Sequence, residues 1–341
     1  MTLRGNDSSG WADLPDSNRS ELAEGGGSGP EAVVVPAVFG LIFVVGVVGN
    51  SLVMVVIGKM RYSVGGGGGG GAGGGGGKRS GSPTNIFILN LSVADLSFLL
   101  FCVPFQATIY SLPEWVFGAF LCRFGHYFST VSMLVSIFTL VAMSVDRYIA
   151  VVRSKKSPCV RSRRNALTGV CVIWTLSLVC SVPVAQHQVL TNHPKAPNST
   201  FCWEDWSGAS KRTYKVTILV IGYLLPLLLV SCCYIKTAQT VLLVVTAFTI
   251  CWMPHHIIAM WVEFGTFPLN DASFVFRIVS HCLSYGNSCV NPVLYAFLSE
   301  NFRKACRQVF TCCSLYPPPP KGKVVRFRME NFSTTHSTTN I

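Results

Sequence analysis

The sequence predicts an all-α membrane protein, a bundle of seven transmembrane helices followed by a short amphipathic helix eight on the cytoplasmic face. Of the 341 residues, 50% are hydrophobic and 12% are charged, whereas soluble domains carry roughly 25% charged residues. Apolar stretches of roughly 20 residues, the length that crosses a bilayer as a helix, recur along the chain. None of them alternates as a barrel strand does. These observations exclude an ordinary soluble domain.

Seven apolar stretches are long enough to span the membrane. We place them at residues 33–57, 85–110, 120–152, 166–184, 214–234, 238–264 and 272–297, so that the bundle covers 33–298. An odd number of spans puts the two termini on opposite sides of the membrane.

The charged residues orient this bundle, because basic loops stay on the cytoplasmic side. With the N-terminus outside, 19 of the 27 Lys and Arg lie on the inner side, and 11 of the 15 acidic residues lie outside. The formal net charge of +12 is therefore a topology signal, and it requires no nucleic acid as a partner.

The acceptor pattern for N-glycosylation agrees with this orientation. It places Asn6, Asn18 and Asn198 on the outer side. The pattern also occurs at Asn90, inside a span, and at Asn331, in the inner tail. We interpret these last two as chance.

Cysteine positions also agree with this orientation. Of the 14 cysteines, Cys122 and Cys202 lie outside the membrane on the oxidising side. We therefore predict a disulfide that ties the third helix to the second outer loop. Cys306, Cys312 and Cys313 follow the last span and are candidate palmitoylation sites, with plain free thiols as the alternative.

Four of the segments outside the spans carry predictions of their own. Residues 1–32 are polar and predict a disordered, glycosylated outer tail. Residues 65–77 hold twelve Gly and one Ala and predict a flexible first inner loop without a phosphate-binding motif. Residues 299–311 are expected to form the amphipathic helix eight on the membrane surface, and 312–341 the cytoplasmic tail.

Asp95 requires a reason to lie inside a span, because a carboxylate at the centre of a membrane helix costs at least roughly 2.5–3.5 kcal/mol. Asn50, Ser136, Asn287 and Asn291 lie at comparable depths in the first, third and seventh helices. Together with Asp95 they could bind a hydrated cation such as Na⁺. The alternative is a protonated Asp95 in a hydrogen-bond network.

The tripeptide Asp146-Arg147-Tyr148 ends the third helix at the cytoplasmic face. An adjacent carboxylate can hold the Arg147 guanidinium until a partner takes it. A solvated charge pair is the alternative.

Prolines interrupt the sixth and seventh helices. Pro254 follows Trp252 in the sixth helix, and Pro292 follows Asn291 and precedes Tyr295 in the seventh. Because proline removes a backbone hydrogen bond, each predicts a kink about which the helix can swing.

These features together resemble the rhodopsin-like family of G-protein-coupled receptors. The residues that carry the resemblance are Asn50, Asp95, Cys122, Asp146-Arg147-Tyr148, Trp174, Pro226, Trp252, Pro254 and Asn291–Tyr295. Within that family, the segments 85–91, 104–108, 133–147 and 296–305 are similar to the galanin receptors, most closely their type 1 branch. The resemblance covers residues 36–310 apart from the glycine stretch.

The resemblance implies a plasma-membrane receptor that binds the neuropeptide galanin at the outer ends of the sixth and seventh helices and couples to inhibitory G proteins. The implied ligand-binding residues are His256, Glu263 and Phe274. One departure is Ala259, where the type 1 pattern has a second His. Neither the Schiff-base Lys of opsins nor the helix-three Asp of amine receptors is present, since Ser129 occupies the latter position.

The chain lacks the third inner loop that the family pattern has. Residues 216–262 would form one helix of about 70 Å, over twice the hydrocarbon thickness. The chain must therefore reverse within 234–240, and both helices would end at the membrane surface. We hypothesise an in-frame deletion that leaves peptide binding largely intact and impairs G-protein activation.

Two alternatives remain. The first is a receptor for another peptide, such as an allatostatin- or kisspeptin-like ligand. The second is a transporter, which predicts inverted repeats and broken helices around a midplane site; no such repeat is visible. An enzyme is not expected, because the sequence shows no nucleophile–base constellation.

Overall fold

The computed structural model describes residues 31–65, 83–112, 114–152, 157–193, 196–234, 240–268, 270–298, 302–303 and 306–307. The helices are α1 (Glu31–Gly65), α2 (Pro83–Phe101, continued by Val103–Ser111), α3 (Gly118–Val152) and α4 (Arg163–His187). They continue with α5 (Gly208–Leu219, the π-helical turn Val220–Leu224 and Leu225–Tyr234), α6 (Thr240–Phe264) and α7 (Asp271–Leu298). A helical turn, Ser157–Val160, precedes α4, and strands β1 (Gln188–His193) and β2 (Ala196–Glu204) separate α4 from α5.

The predicted fold class is confirmed, and each predicted span lies in one of α1 to α7, apart from a few residues at some span ends. Within the described residues, six helices are long and apolar enough to cross a membrane. The remaining helix, α7, has 28 residues and carries buried polar side chains, among them Ser280, Ser284 and Asn287. Its low hydropathy follows from its position inside the bundle, where polar groups find partners.

The central helix is α3. Its residues Leu134, Ile137 and Leu140 are at most 1% exposed and pack in one cluster with Leu91 of α2 and Phe248 of α6. Because both neighbouring helices lie against it, α3 can connect the two ends of the bundle.

Local sequence sets the starts and bends of several helices. The Ser162 hydroxyl caps α4 by accepting a bond from the Asn165 amide at 3.1 Å, as N-cap residues do. Asn270 caps α7, since its Oδ1 accepts from the Ser273 amide at 2.9 Å. The π-helical turn lies directly before Leu225-Pro226, where proline cannot supply the regular backbone bond.

One glycine permits the close approach of α1 to α7. A Cβ added at Gly49 would lie 2.9 Å from the Cβ of Pro292, which is closer than van der Waals contact allows. Pro292 of α7 is therefore packed directly on the α1 backbone.

An antiparallel hairpin, which the sequence did not predict, covers one end of the bundle. Strand β1 pairs with β2, with Leu190 opposite Cys202. The predicted disulfide between Cys122 of α3 and Cys202 is present. Below, this end is called the outer end and the opposite end the inner end.

At the inner end, α5 ends at Tyr234 and α6 begins at Thr240, and residues 235–239 between them lie outside the described residues. Helix eight is described only at Phe302–Arg303 and Cys306–Arg307, which are helical. Phe302 is 8% exposed and packs in one cluster with Val53, Val56 and Ile57 of α1. The full helix over 299–311 stays a prediction.

Candidate functional site

A buried carboxylate joins three helices in the middle of the bundle. Asp95 of α2 is 1% exposed. Its Oδ2 accepts a 2.8 Å bond from Nδ2 of Asn291 in α7, and its Oδ1 accepts a 3.4 Å bond from Oγ of Ser136 in α3. The structure thus brings these three predicted residues together.

Asn50 and Asn287 are also buried here, at 0% and 4% exposure. The Asn50 amide donates 2.9 Å bonds to the carbonyl oxygens of Gly46 and Ser288, so it links α1 to α7 and does not bond Asp95. Its Oδ1 is buried and has no hydrogen-bond partner among the described residues.

The polar group fits a hard cation such as Na⁺. Hard cations are bound by carboxylate, hydroxyl and amide oxygens, and Asp95, Ser136 and Asn287 offer these oxygen types. Ser132, one turn before Ser136 on the same face of α3, has a buried Oγ without a partner in the described chain. The sequence analysis missed Ser132, although its four-residue spacing from Ser136 could have indicated it.

At the inner end, Asp146 binds a residue that the sequence analysis did not single out. Its carboxylate accepts bonds from Arg161 at 2.8 and 3.1 Å and from the Thr84 hydroxyl at 2.7 Å. Asp146 therefore ties α3 to α2 and to the segment before α4. Arg147 is exposed at this end, and Tyr148 is half-buried.

The predicted hinge of α6 lies in the core. Pro254 is within α6, and Trp252 is 6% exposed with its ring 6.0 Å from Phe248 and 5.7 Å from His255. The Trp252 Nε1 is buried without an acceptor among the described residues. An indole held by packing alone can change its rotamer without breaking a hydrogen bond.

In α7, Pro292 lies inside the helix and Tyr295 follows it. Asn291, directly before this proline, binds Asp95. Asn291 therefore links the part of α7 that holds Pro292 to the buried carboxylate.

The neighbouring histidines of α6 face different helices, as expected. His256 is 5% exposed and its ring lies 4.9 Å from Tyr223 of α5. The His255 ring centroid lies 6.5 Å from that of His281 in α7. The His256 Nε2 is buried without a partner in the described residues, so this nitrogen remains available to bind a water or a ligand.

Glu263, at the outer end of α6, is held by two cations of α5. Lys211 lies 3.7 Å and Arg212 3.5 Å from its carboxylate oxygens, and the Glu263 side chain is 10% exposed. Lys211 and Lys215 also pair with Glu204 of β2, at 3.8 and 3.3 Å. Sequence reasoning missed this charged cluster, because α5 and the hairpin are distant from α6 along the chain.

Phe274 lies in the first turn of α7 and is half-buried. The preceding loop is fixed by Phe267, whose ring lies 5.3 Å from both the Trp261 ring and the Arg277 guanidinium carbon. The predicted ligand residues therefore lie at two depths, with Phe274 and Glu263 at the rim and His256 inside the bundle.

The sequence analysis also missed a second polar network, which joins α2 to α7. The Tyr285 hydroxyl donates to Oε1 of Gln106 at 3.1 Å. Nε2 of Gln106 lies 3.3 Å from Nδ1 of His281. Pairing across two helices gives no local sequence pattern.

The modification sites remain predictions. Asn6, Asn18, Cys312 and Cys313 lie outside the described residues, and Asn198 lies in β2. Cys306 is half-buried, and burial raises the pKa of its thiol.

Asn90, by contrast, is 7% exposed. It donates to Thr139 and accepts from Trp174 Nε1, both at 2.8 Å. This position fits our interpretation that its acceptor pattern is chance.

Comparison with known proteins adds independent information. The sequence profile described as "7 transmembrane receptor (rhodopsin family)" matches residues 76–243 and 235–295. The two matched pieces overlap at 235–243, over the segment between α5 and α6 and the first turn of α6. The glycine-rich residues before position 76 are outside the match.

Individual relatives extend the match to almost the whole chain. Galanin receptor type 1 of Homo sapiens is 53% identical over 331 residues, which cover 90% of this chain and 90% of the relative. The type 1 receptor of Mus musculus is 50% identical, covering 92% of each, and galanin receptor type 2 of Rattus norvegicus is 40% identical, covering 89% and 82%. The chain belongs to the rhodopsin family of seven-transmembrane receptors, and within it to the galanin receptor group.

Proposed function

We propose that this protein is a plasma-membrane receptor for a galanin-like peptide, with its N-terminus outside the cell. The observation that carries the proposal is the outer part of α6 and α7, where Glu263 and Phe274 lie at the rim and His256 lies deeper in the bundle. The similarity to galanin receptors along nearly the whole chain supports the ligand class.

The arrangement suits a ligand that makes both apolar and polar contacts. The half-buried Phe274 offers an aromatic face on which an apolar side chain can stack. Deeper in the bundle, the unpartnered nitrogen of His256 can accept or donate one hydrogen bond. The hairpin lies at the same outer end, fixed to α3 through the disulfide of Cys202 and to α5 through Glu204.

Binding of labelled galanin to transfected cells tests this proposal directly. We expect saturable binding that unlabelled galanin displaces and that weakens at least tenfold in the Phe274→Ala variant. Val275→Ala, at an exposed neighbouring position of α7, serves as the matched control. Displacement by an allatostatin- or kisspeptin-like peptide but not by galanin would overturn the ligand assignment.

We further propose that an inhibitory heterotrimeric G protein is the partner at the inner end. The short reversal between Tyr234 and Thr240 leaves little of α5 and α6 to extend beyond the membrane. Peptide binding would shift the bundle toward an inner-open state, with Trp252 and Pro254 as the hinge. Nucleotide exchange on the G protein would nevertheless be weak.

The buried Asp95 group supports an allosteric Na⁺ site. Asp95, Ser136, Asn287 and Asn291 would hold the ion, which would supply a positive charge next to the carboxylate and favour the conformation in which α2, α3 and α7 are close together. No other cofactor is proposed.

A further inference from the structure

The outer charged cluster is defined as Glu204, Lys211, Arg212, Lys215 and Glu263. Lys211 differs from the other two cations, because its side chain is only 4% exposed, against 54% for Arg212 and 30% for Lys215. A buried ammonium is stable only when anions compensate its lost hydration. Two carboxylates from two different elements do so here.

The start of α5 is braced so that Lys211 points into the cluster. Trp206, which is 9% exposed, stacks on His187 with 4.0 Å between ring centroids. Its Nε1 donates to the Ser210 hydroxyl at 3.0 Å, and its ring also lies 5.0 Å from Tyr214. The first turns of α5 are therefore held by contacts other than the ion pairs.

Glu263 is the more covered of the two anions, whereas Arg212 is the most exposed charge of the cluster and Lys215 is about as exposed as Glu204. Glu263 and Glu204 side chains are 10% and 26% exposed. The mouth of the bundle consequently presents Arg212 and Lys215 outward, and three cations outnumber two carboxylates. The Glu263 carboxylate is already paired with Lys211 and Arg212, and at 10% exposure it presents little surface to a ligand.

We propose that Lys211 is a positioning residue: its buried ammonium holds Glu204 of β2 and Glu263 of α6 together and so fixes the mouth of the peptide site. Glu263 then contributes to ligand affinity through its bond to α5 and not by pairing with the ligand. This inference rests on the proposed peptide-receptor function and deepens it.

The test compares Lys211→Met, Glu263→Gln and the double variant by affinity for labelled galanin, with receptor number at the surface measured separately. Each single variant should lose about tenfold in affinity, and the double variant should lose about the same, because both changes remove the same Lys211–Glu263 pair. Lys215 pairs with Glu204 but not with Glu263, so Lys215→Met should lose less than threefold in affinity. Unchanged or higher affinity in Lys211→Met would overturn the proposal.

Galanin with acetylated amines distinguishes the two roles of Glu263. If Glu263 acts through Lys211, acetylation changes affinity by the same factor in the wild type and in Glu263→Gln. If acetylation matters in the wild type only, Glu263 pairs with the ligand and the proposal is wrong.

A readout without ligand separates this proposal from the proposed function. Backbone hydrogen exchange over residues 260–264 should become faster in Lys211→Met than in Lys215→Met. Absence of galanin binding by the wild-type receptor would overturn the proposed function, and the exchange rates would still decide the role of Lys211. Equal exchange rates in Lys211→Met and Lys215→Met would overturn the proposed role of Lys211.

Discussion

Oδ2 of Asp95 in α2 accepts a 2.8 Å hydrogen bond from Nδ2 of Asn291 in α7. Because Asn291 directly precedes Pro292, the buried carboxylate is coupled to the bend of α7, which packs on Gly49 of α1. A change of charge state or ion binding at Asp95 therefore acts on the helix that reaches the inner end.

The first prediction concerns sodium. The thermal midpoint of purified receptor should be higher in NaCl than in choline chloride at equal ionic strength, because ligands that bind the folded state stabilise it. Asp95→Asn should abolish this difference, since the neutral amide cannot compensate the charge of the ion. Ser177→Ala, which removes a buried hydroxyl of α4, should preserve it. A sodium effect that survives in Asp95→Asn would contradict the assignment.

The sequence predicted what the membrane and covalent chemistry impose. Helix lengths follow from bilayer thickness, so the seven spans were recognised from hydropathy. The disulfide at Cys122 followed from which cysteines lie outside. Contacts between helices, such as Arg161 with Asp146 or Lys211 with Glu263, were missed because they depend on helix rotation and loop path, which hydropathy does not encode.

The second prediction concerns the inner end. Arg161→Met should destabilise the receptor by about 2 kcal/mol, because it removes both charged bonds to Asp146, whose side chain is 6% exposed, while Arg161 itself is 21% exposed. Breaking a fully buried pair costs roughly 3–5 kcal/mol, and partial exposure lowers that cost. The measurement is the thermal midpoint at a fixed scan rate. Arg163→Met, at an exposed position two residues later, should shift the midpoint little, and equal shifts would refute this role of Arg161.

The third prediction concerns Asn90. Trp174→Phe removes the 2.8 Å bond to Asn90 Oδ1 and leaves a buried acceptor unsatisfied, which costs roughly 1–3 kcal/mol. In an Asn90→Ala background, Trp174→Phe should lower the stability clearly less than it does in the wild type, because the acceptor is then absent. Additive losses in stability would show that the bond contributes nothing.

Burial of Asn90 also predicts the glycosylation pattern. Removing the acceptor at Asn198 should increase electrophoretic mobility before, but not after, enzymatic deglycosylation. Asn90→Gln should leave mobility unchanged in both cases, since a 7% exposed side chain inside α2 cannot reach the glycosylation machinery. A mobility change in Asn90→Gln would place this part of α2 outside the membrane.

The last prediction concerns signalling. α5 ends at Tyr234 and α6 begins at Thr240. A return of the chain into the membrane within the five residues between them would leave both helices little length with which to bind a G protein. Inserting the third inner loop of the human type 1 relative between Lys236 and Thr237 should raise galanin-stimulated nucleotide exchange at least tenfold. Galanin affinity measured without G protein should change less than threefold, because the mouth at the other end is untouched. A Gly/Ser insert of equal length controls for relief of strain alone, since it lengthens the loop without supplying a helical extension. Full exchange by the unmodified chain would refute the deletion hypothesis.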